Sequence, residues 1–154
     1  MRSISELSDD LKKVQQKAVH NLIEAQQETA WDIGFDVKKL APKDTGRYAD
    51  SIKVSKTLKK GNNITTEIYT DAKVISSKGV PYLLGMLLET GTSPHIIEPV
   101  NAKFLHFLID GKDIYAKRVK HPGTVAQPHF QPSLEANKYN YQQKIEKAIR
   151  RSFE

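Results

Sequence analysis

Leu40-Ala41-Pro42-Lys43-Asp44-Thr45-Gly46-Arg47-Tyr48-Ala49-Asp50-Ser51-Ile52-Lys53 is where one hydrophobic period gives way to another. On its N-terminal side, Leu7, Leu11, Val14, Ala18, Leu22, Ala25, Ile33, Val37 and Leu40 recur mostly at three- and four-residue steps, which lays them along one side of a helix. Ser5, Ser8 and Asp9 offer N-caps. Gly34 is tolerated within the run, but Pro42 is not. Its ring pushes Ala41 out of helical geometry, so a helix over residues 1–40 ends near Leu40. A helix of about 30–35 residues spans roughly 50 Å. A domain of this size cannot cover all of that length, so part of the apolar side is expected to meet another subunit. Inside the quoted stretch, Asp44 or Thr45 can cap a short helical turn that runs through Ser51.

C-terminal to it the period becomes two. Ile52–Lys60 alternates with Ile52, Val54 and Leu58 on one side, Gly61-Asn62-Asn63 signals a turn, and Ile64–Thr70 alternates again. The expectation is a β-hairpin with one buried face. Residues 72–79 read as a loop. Pro81–Glu89 reads as a short helix with Pro81 in its first turn and Gly91 as its stop. Pro94–Pro99 is an edge or irregular segment. Phe104–Ile109 and Ile114–Val119 flank Asp110-Gly111-Lys112, a second hairpin, and His121-Pro122-Gly123-Thr124 ends it. After a loop over residues 125–131, a last helix over 132–154 carries Leu134, Tyr141, Ile145, Ile149 and Phe153 on its apolar side. The order predicts one α+β domain over residues 1–154: a long N-terminal helix, a β-sheet body with a short helix over 41–131, and a C-terminal helix.

Charge and composition narrow the chemistry. The 154 residues hold 24 Lys and Arg against 18 Asp and Glu, a formal net charge of +6. The surplus lies after residue 40, and a basic body attracts nucleic acid or acidic protein surfaces. With no cysteine, disulfides and thiolate metal sites are excluded. No signal-peptide pattern opens the sequence, and the longest apolar stretch, Val80–Leu88, is far short of the roughly 20 residues of a membrane span. Asp44-Thr45-Gly46 matches the tripeptide of aspartic proteases, but it follows Pro42-Lys43 rather than an apolar strand and leads into a helical turn. A capping turn is the better reading. His95, His106, His121 and His129 show no ligand spacing, and His121 and His129 sit in loops, where histidine is commonly a surface residue. No catalytic residue, cofactor or metal is assigned. Lys112, Lys117, Arg118 and Lys120 surround Tyr115, and Lys144, Lys147, Arg150 and Arg151 lie on or beside the last helix. They keep a basic nucleic-acid-binding protein as the alternative function.

Three blocks carry a resemblance. Leu40–Lys53, Leu87-Leu88-Glu89-Thr90-Gly91-Thr92, and His121-Pro122-Gly123-Thr124-Val125-Ala126-Gln127-Pro128-His129-Phe130-Gln131-Pro132 resemble, in order and spacing, the motifs of the tail-completion proteins of long-tailed bacteriophages, which are often found in prophages. The resemblance implies a non-enzymatic structural protein of the virion neck that joins head to tail. Its fold would pack long helices on a curved antiparallel sheet. It would act as a ring of six copies between the head connector and the tail-tube or terminator proteins. It would assemble in the host cytoplasm, without a membrane, and could touch DNA in the channel non-specifically. Pro42, Asp44, Thr45, Gly46, Glu89, Gly91, Thr92, His121, Pro122 and Gly123 would then be structural turns. Lys112, Lys117, Arg118 and Lys120 would contact a partner or DNA.

Overall fold

The computed structural model describes residues 3–75 and 79–154. The elements are α1 (Ile4–Leu40), α2 (Arg47–Ser51), β1 (Ile52–Val54), β2 (Leu58–Lys60), β3 (Asn63–Thr65), β4 (Ile68–Thr70), β5 (Lys73–Ile75), β6 (Pro81–Leu83), α3 (Leu84–Thr90), β7 (His95–Ile97), β8 (Leu105–Ile109), β9 (Lys112–Ala116), β10 (Val119–His121) and α4 (Phe130–Arg150). The fold is α+β. In place of one curved sheet, the described strands form five two-stranded ladders. The chain divides into two compact units, residues 1–40, 52–69 and 129–154, and residues 41–51 and 70–128.

In the first unit α1 is 37 residues long. Its cap is Ser3, not Ser5, Ser8 or Asp9. The Ser3 Oγ accepts the Glu6 N–H at 3.2 Å while the Glu6 carboxylate accepts the Ser3 N–H at 2.8 Å, a reciprocal capping box. The later half of α1 packs antiparallel against α4. Asn21 Nδ2 donates to the Ala148 carbonyl and to Ser152 Oγ, at 3.2 and 3.1 Å. Lys144 Nζ lies 2.7 Å from Asp32, and Asn137 Nδ2 donates to Asp36 at 2.7 Å. The buried residues here are small or polar: Ala25, Thr29 and Ala30 of α1 against Ser133, Asn137, Ala148 and Ser152 of the C-terminal segment. Small side chains let the backbones approach, and each satisfied polar pair adds about 0.5–1.5 kcal/mol.

The apolar side expected for the last helix is therefore not the buried one. Leu134 is 52% exposed, Ile149 44% and Phe153 76%. Leu134 and Ile149 follow Ser133 and Ala148 by one residue, about 100° further round the helix, and Phe153 follows Ser152 beyond the helix end. The helix also starts earlier than Pro132, at Phe130. His129 precedes it and is fully buried rather than on the surface, with its ring 5.0 Å from that of Phe130.

The first hairpin is present but interrupted. β2 and β3 pair from Leu58↔Thr65 to Lys60↔Asn63 around a tight Gly61-Asn62 turn, and β1 pairs with β4. Between them Gln27 of α1 holds the backbone: its amide donates to the Ser55 carbonyl, and its Oε1 accepts the Thr57 N–H at 2.7 Å. The clamp slips the alternation by one residue. Thr57 is buried and Leu58 exposed, the reverse of the expected face.

In the second unit, part of the stretch read as a loop is strand β5, paired antiparallel with β6 from Lys73↔Leu83 to Ile75↔Pro81. Residues 76–78 of that stretch lie outside the described residues. Pro81 accordingly opens a strand, where its missing N–H costs no ladder bond, and the helix begins only at Leu84. β8 and β9 form the second hairpin over a two-residue turn in which Asp110 (φ 51°) and Gly111 (φ 76°) both take positive φ. β7 pairs with β10, so His121 does not end the hairpin but lies opposite His95. Among the described residues no helix is long and apolar enough to cross a membrane.

Candidate interaction surfaces

The second unit brings the three sequence blocks together. From the first block, α2 presents Tyr48, whose hydroxyl lies beside Gly85 of α3. Burial pushes the Tyr48 phenol up to about 12, and the carboxylate of Glu89 in the second block adds to the rise. Pro42, Asp44, Thr45, Gly46, Arg47 and Tyr48 edge a hollow of about 500 Å³, closed by Ala72, Lys73, Leu84 and Leu88. The third block ties back to the second mainly through backbone, with the Thr92 hydroxyl also accepting the Thr124 N–H at 2.9 Å. Thr92 and Thr124 exchange both N–H···O bonds at 3.0 and 3.1 Å, and the Gln127 N–H donates to the Leu88 carbonyl at 2.8 Å. Gly91 and Gly123 sit at this crossing with φ of 70° and 88°. A Cβ on Gly91 would stand 2.5 Å from the Thr124 carbonyl oxygen, and one on Gly123 would collide with the Thr92 carbonyl.

The raised Tyr48 pKa makes a prediction about alkaline stability. In the folded chain the phenol keeps a proton that an unfolded tyrosine releases near pH 10. The stability linked to it is complete below pH 10 and is lost as pH rises toward 12. Replacing Tyr48 by Phe removes that dependence. Urea denaturation should show the wild type losing more stability than Tyr48→Phe between pH 9 and pH 11; parallel losses would contradict this.

The basic residues are not one free patch. Arg118 Nε lies 3.5 Å from Glu98, and Lys117 Nζ sits 5.9 Å from the centre of the Phe104 ring. Lys120 is opposite Ile96 in the β7–β10 ladder, and Lys112 begins β9. Tyr115 is exposed and stacks on His106, which bonds Asp113 at 2.6 Å. In the other unit, Lys144 is held by Asp32 and Glu28 of α1, so it serves helix packing. His121 Nδ1 accepts the Gly123 N–H, which ties its ring to the turn. No group of three or more histidine or carboxylate side chains with metal-holding geometry occurs among the described residues.

Exposed apolar side chains are the larger feature. In the first unit, Ile4, Leu7 and Leu11 are exposed along α1, as are Trp31 and Phe35. A groove of about 410 Å³ runs between α1 and α4, floored by Ala30, Ile33 and Ile68 and flanked by Leu134 and Tyr141. Surfaces of this kind fit protein partners.

Residues 5–111 match the model of the family described as "Bacteriophage HK97-gp10, putative tail-component". The chain belongs to this family. The match takes in the first two blocks and leaves the third, from His121 onward, outside it. No curated protein and no solved structure matches the chain. Membership makes this a bacteriophage structural protein of the tail and places it in the virion.

Proposed function

We propose that this tail component acts at the neck, joining the head connector to the tail-tube or terminator proteins as a ring of identical copies, without catalysis. Family membership carries the reading. The resemblance of the three blocks to tail-completion proteins gives the finer position. The backbone crossing of the second and third blocks supports it, because a passive adaptor needs fixed surfaces more than it needs reactive groups. The exposed apolar residues of α1 and α4 offer the two unlike surfaces that a closed ring uses between neighbours. Assembly takes place in the host cytoplasm, and DNA passing the ring meets it without sequence reading.

The test is add-back. Purified protein supplied to an extract of filled heads and tails that lacks it should restore joined particles. A variant carrying Lys117→Glu, Arg118→Glu and Lys120→Glu should fold normally and restore at least tenfold fewer. Full restoration by that variant would reduce these side chains to a solvated face. A steep salt dependence of binding to random DNA, with no effect on joining, would favour a nucleic-acid-binding function instead.

A further inference from the structure

One stripe of α1 runs Ile4, Leu7, Leu11, Val14, Ala18, Asn21, Ala25, Thr29, at alternating steps of three and four until the last. From Asn21 onward α4 covers it: Asn21, Asp32 and Asp36 all bond residues of the C-terminal segment. α4 runs toward the N-terminus of α1 and ends at Arg150, and Ser152 lies beside Asn21. The same stripe then continues uncovered. Ile4 is 89% exposed, Leu7 54% and Leu11 61%. The face that binds a helix over its later half therefore repeats, N-terminally, with more apolar side chains and with none of the described residues packed over them.

We infer that this N-terminal segment of α1 pairs antiparallel with the same segment of a second copy. A three–four repeat is the seam of a two-helix coil, and antiparallel pairing sets its layers face to face. With Leu11 opposite Val14 of the second copy, Leu7 meets Ala18, and Ile4 stops against the end of the C-terminal segment that covers Asn21. The second helix then occupies the line that α4 leaves. Charge supports this register. Asp10 and Lys17 flank the stripe on the same side, and antiparallel pairing places each against the other residue of the second copy, twice over. The end contacts agree as well. The N-terminal turns of the incoming helix hold Glu6, Asp9 and Asp10, and they arrive beside the last turns of α4 with Lys147, Arg150 and Arg151. Each helix terminus also meets the opposite end of the other's dipole. A cyclic ring uses unlike surfaces, so this two-fold contact forms in the free protein and opens when the same ridge takes its partner in the particle. The seam spans little more than two heptads, so the dimer is weak and exchanges.

The absence of cysteine makes the test clean. Leu7→Cys protein mixed with Ala18→Cys protein under mild oxidation should give a covalent dimer, whereas Leu7→Cys alone should give little. Antiparallel pairing separates the two Leu7 positions by about 16 Å along the axis. Sedimentation should show Asp10→Lys weakening the dimer several-fold and Asp10→Lys with Lys17→Asp restoring it. On one helix these positions lie about 10 Å apart with Lys13, which pairs with Asp10, between them, so the exchange is made in protein that also carries Lys13→Gln, where rescue has to act between copies. Efficient cross-linking of Leu7→Cys with itself, failure of the charge exchange to rescue, or a monomer at submillimolar concentration would overturn the inference. None of these outcomes bears on whether the protein joins heads to tails, which add-back reads separately.

Discussion

Deleting residues 1–20 should leave a folded, soluble protein that no longer incorporates into particles, with joined phage falling at least 100-fold. The cut falls just before Asn21, the first α1 residue bonded to the C-terminal segment. The packing of Ala25, Thr29 and Ala30 against Ser133, Asn137 and Ala148 is untouched. What is lost is the exposed ridge of Ile4, Leu7 and Leu11. Those side chains gain little from the folded monomer, since their apolar area stays in water. The melting temperature should therefore move by only a few degrees. A truncated protein that joins heads to tails at normal yield would show the ridge to be dispensable.

The second large effect concerns the crossing of the second and third blocks. Gly123→Ala and Gly91→Ala should each destabilise the protein by about 2–4 kcal/mol, because left-handed strain is joined by collision with backbone that cannot swing aside. At Gly91 the backbone also has ψ of −174°, a region that is essentially glycine's alone. Gly46 is the control. Its φ is 79°, yet nothing lies within 4 Å of an added Cβ. Gly46→Ala should cost about 1 kcal/mol, the strain without the collision. Denaturant midpoints of the three variants measure the order. Equal losses at all three sites would mean that the Thr92–Thr124 crossing tolerates displacement.

The helix stops set by Pro42 and Gly91, and the turns, were the most legible parts of the fold. Pro42 stops α1 within two residues of where it must, and Asp110-Gly111 sets the second hairpin by its φ demands. The faces of the helices and strands were less legible, for a definite reason. Periodicity marks apolar residues as core, but α4 packs through Ser133, Asn137, Ala148 and Ser152 and leaves its apolar stripe for other contacts. Leu58 was misplaced because alternation cannot foresee Gln27, some thirty residues upstream, clamping Ser55 and Thr57. Pro81 was read as helical because the strand it pairs with, Lys73–Ile75, is too short to show a period. The three blocks were visible as turns, but their meeting was not. It depends on hydrogen bonds between Thr92 and Thr124, 32 residues apart, that no local pattern announces. Lys144 looked like a free cation, and its acidic partners Glu28 and Asp32 are over 100 residues away.

Electron microscopy of a lysate from a phage lacking this chain tests the central claim most directly. A neck adaptor supplies matched surfaces to two structures that form without it. Filled heads and complete tails of normal length should both accumulate, unjoined. Empty heads without packaged DNA, or tails of the wrong length, would place the protein at an earlier step and contradict a role in joining.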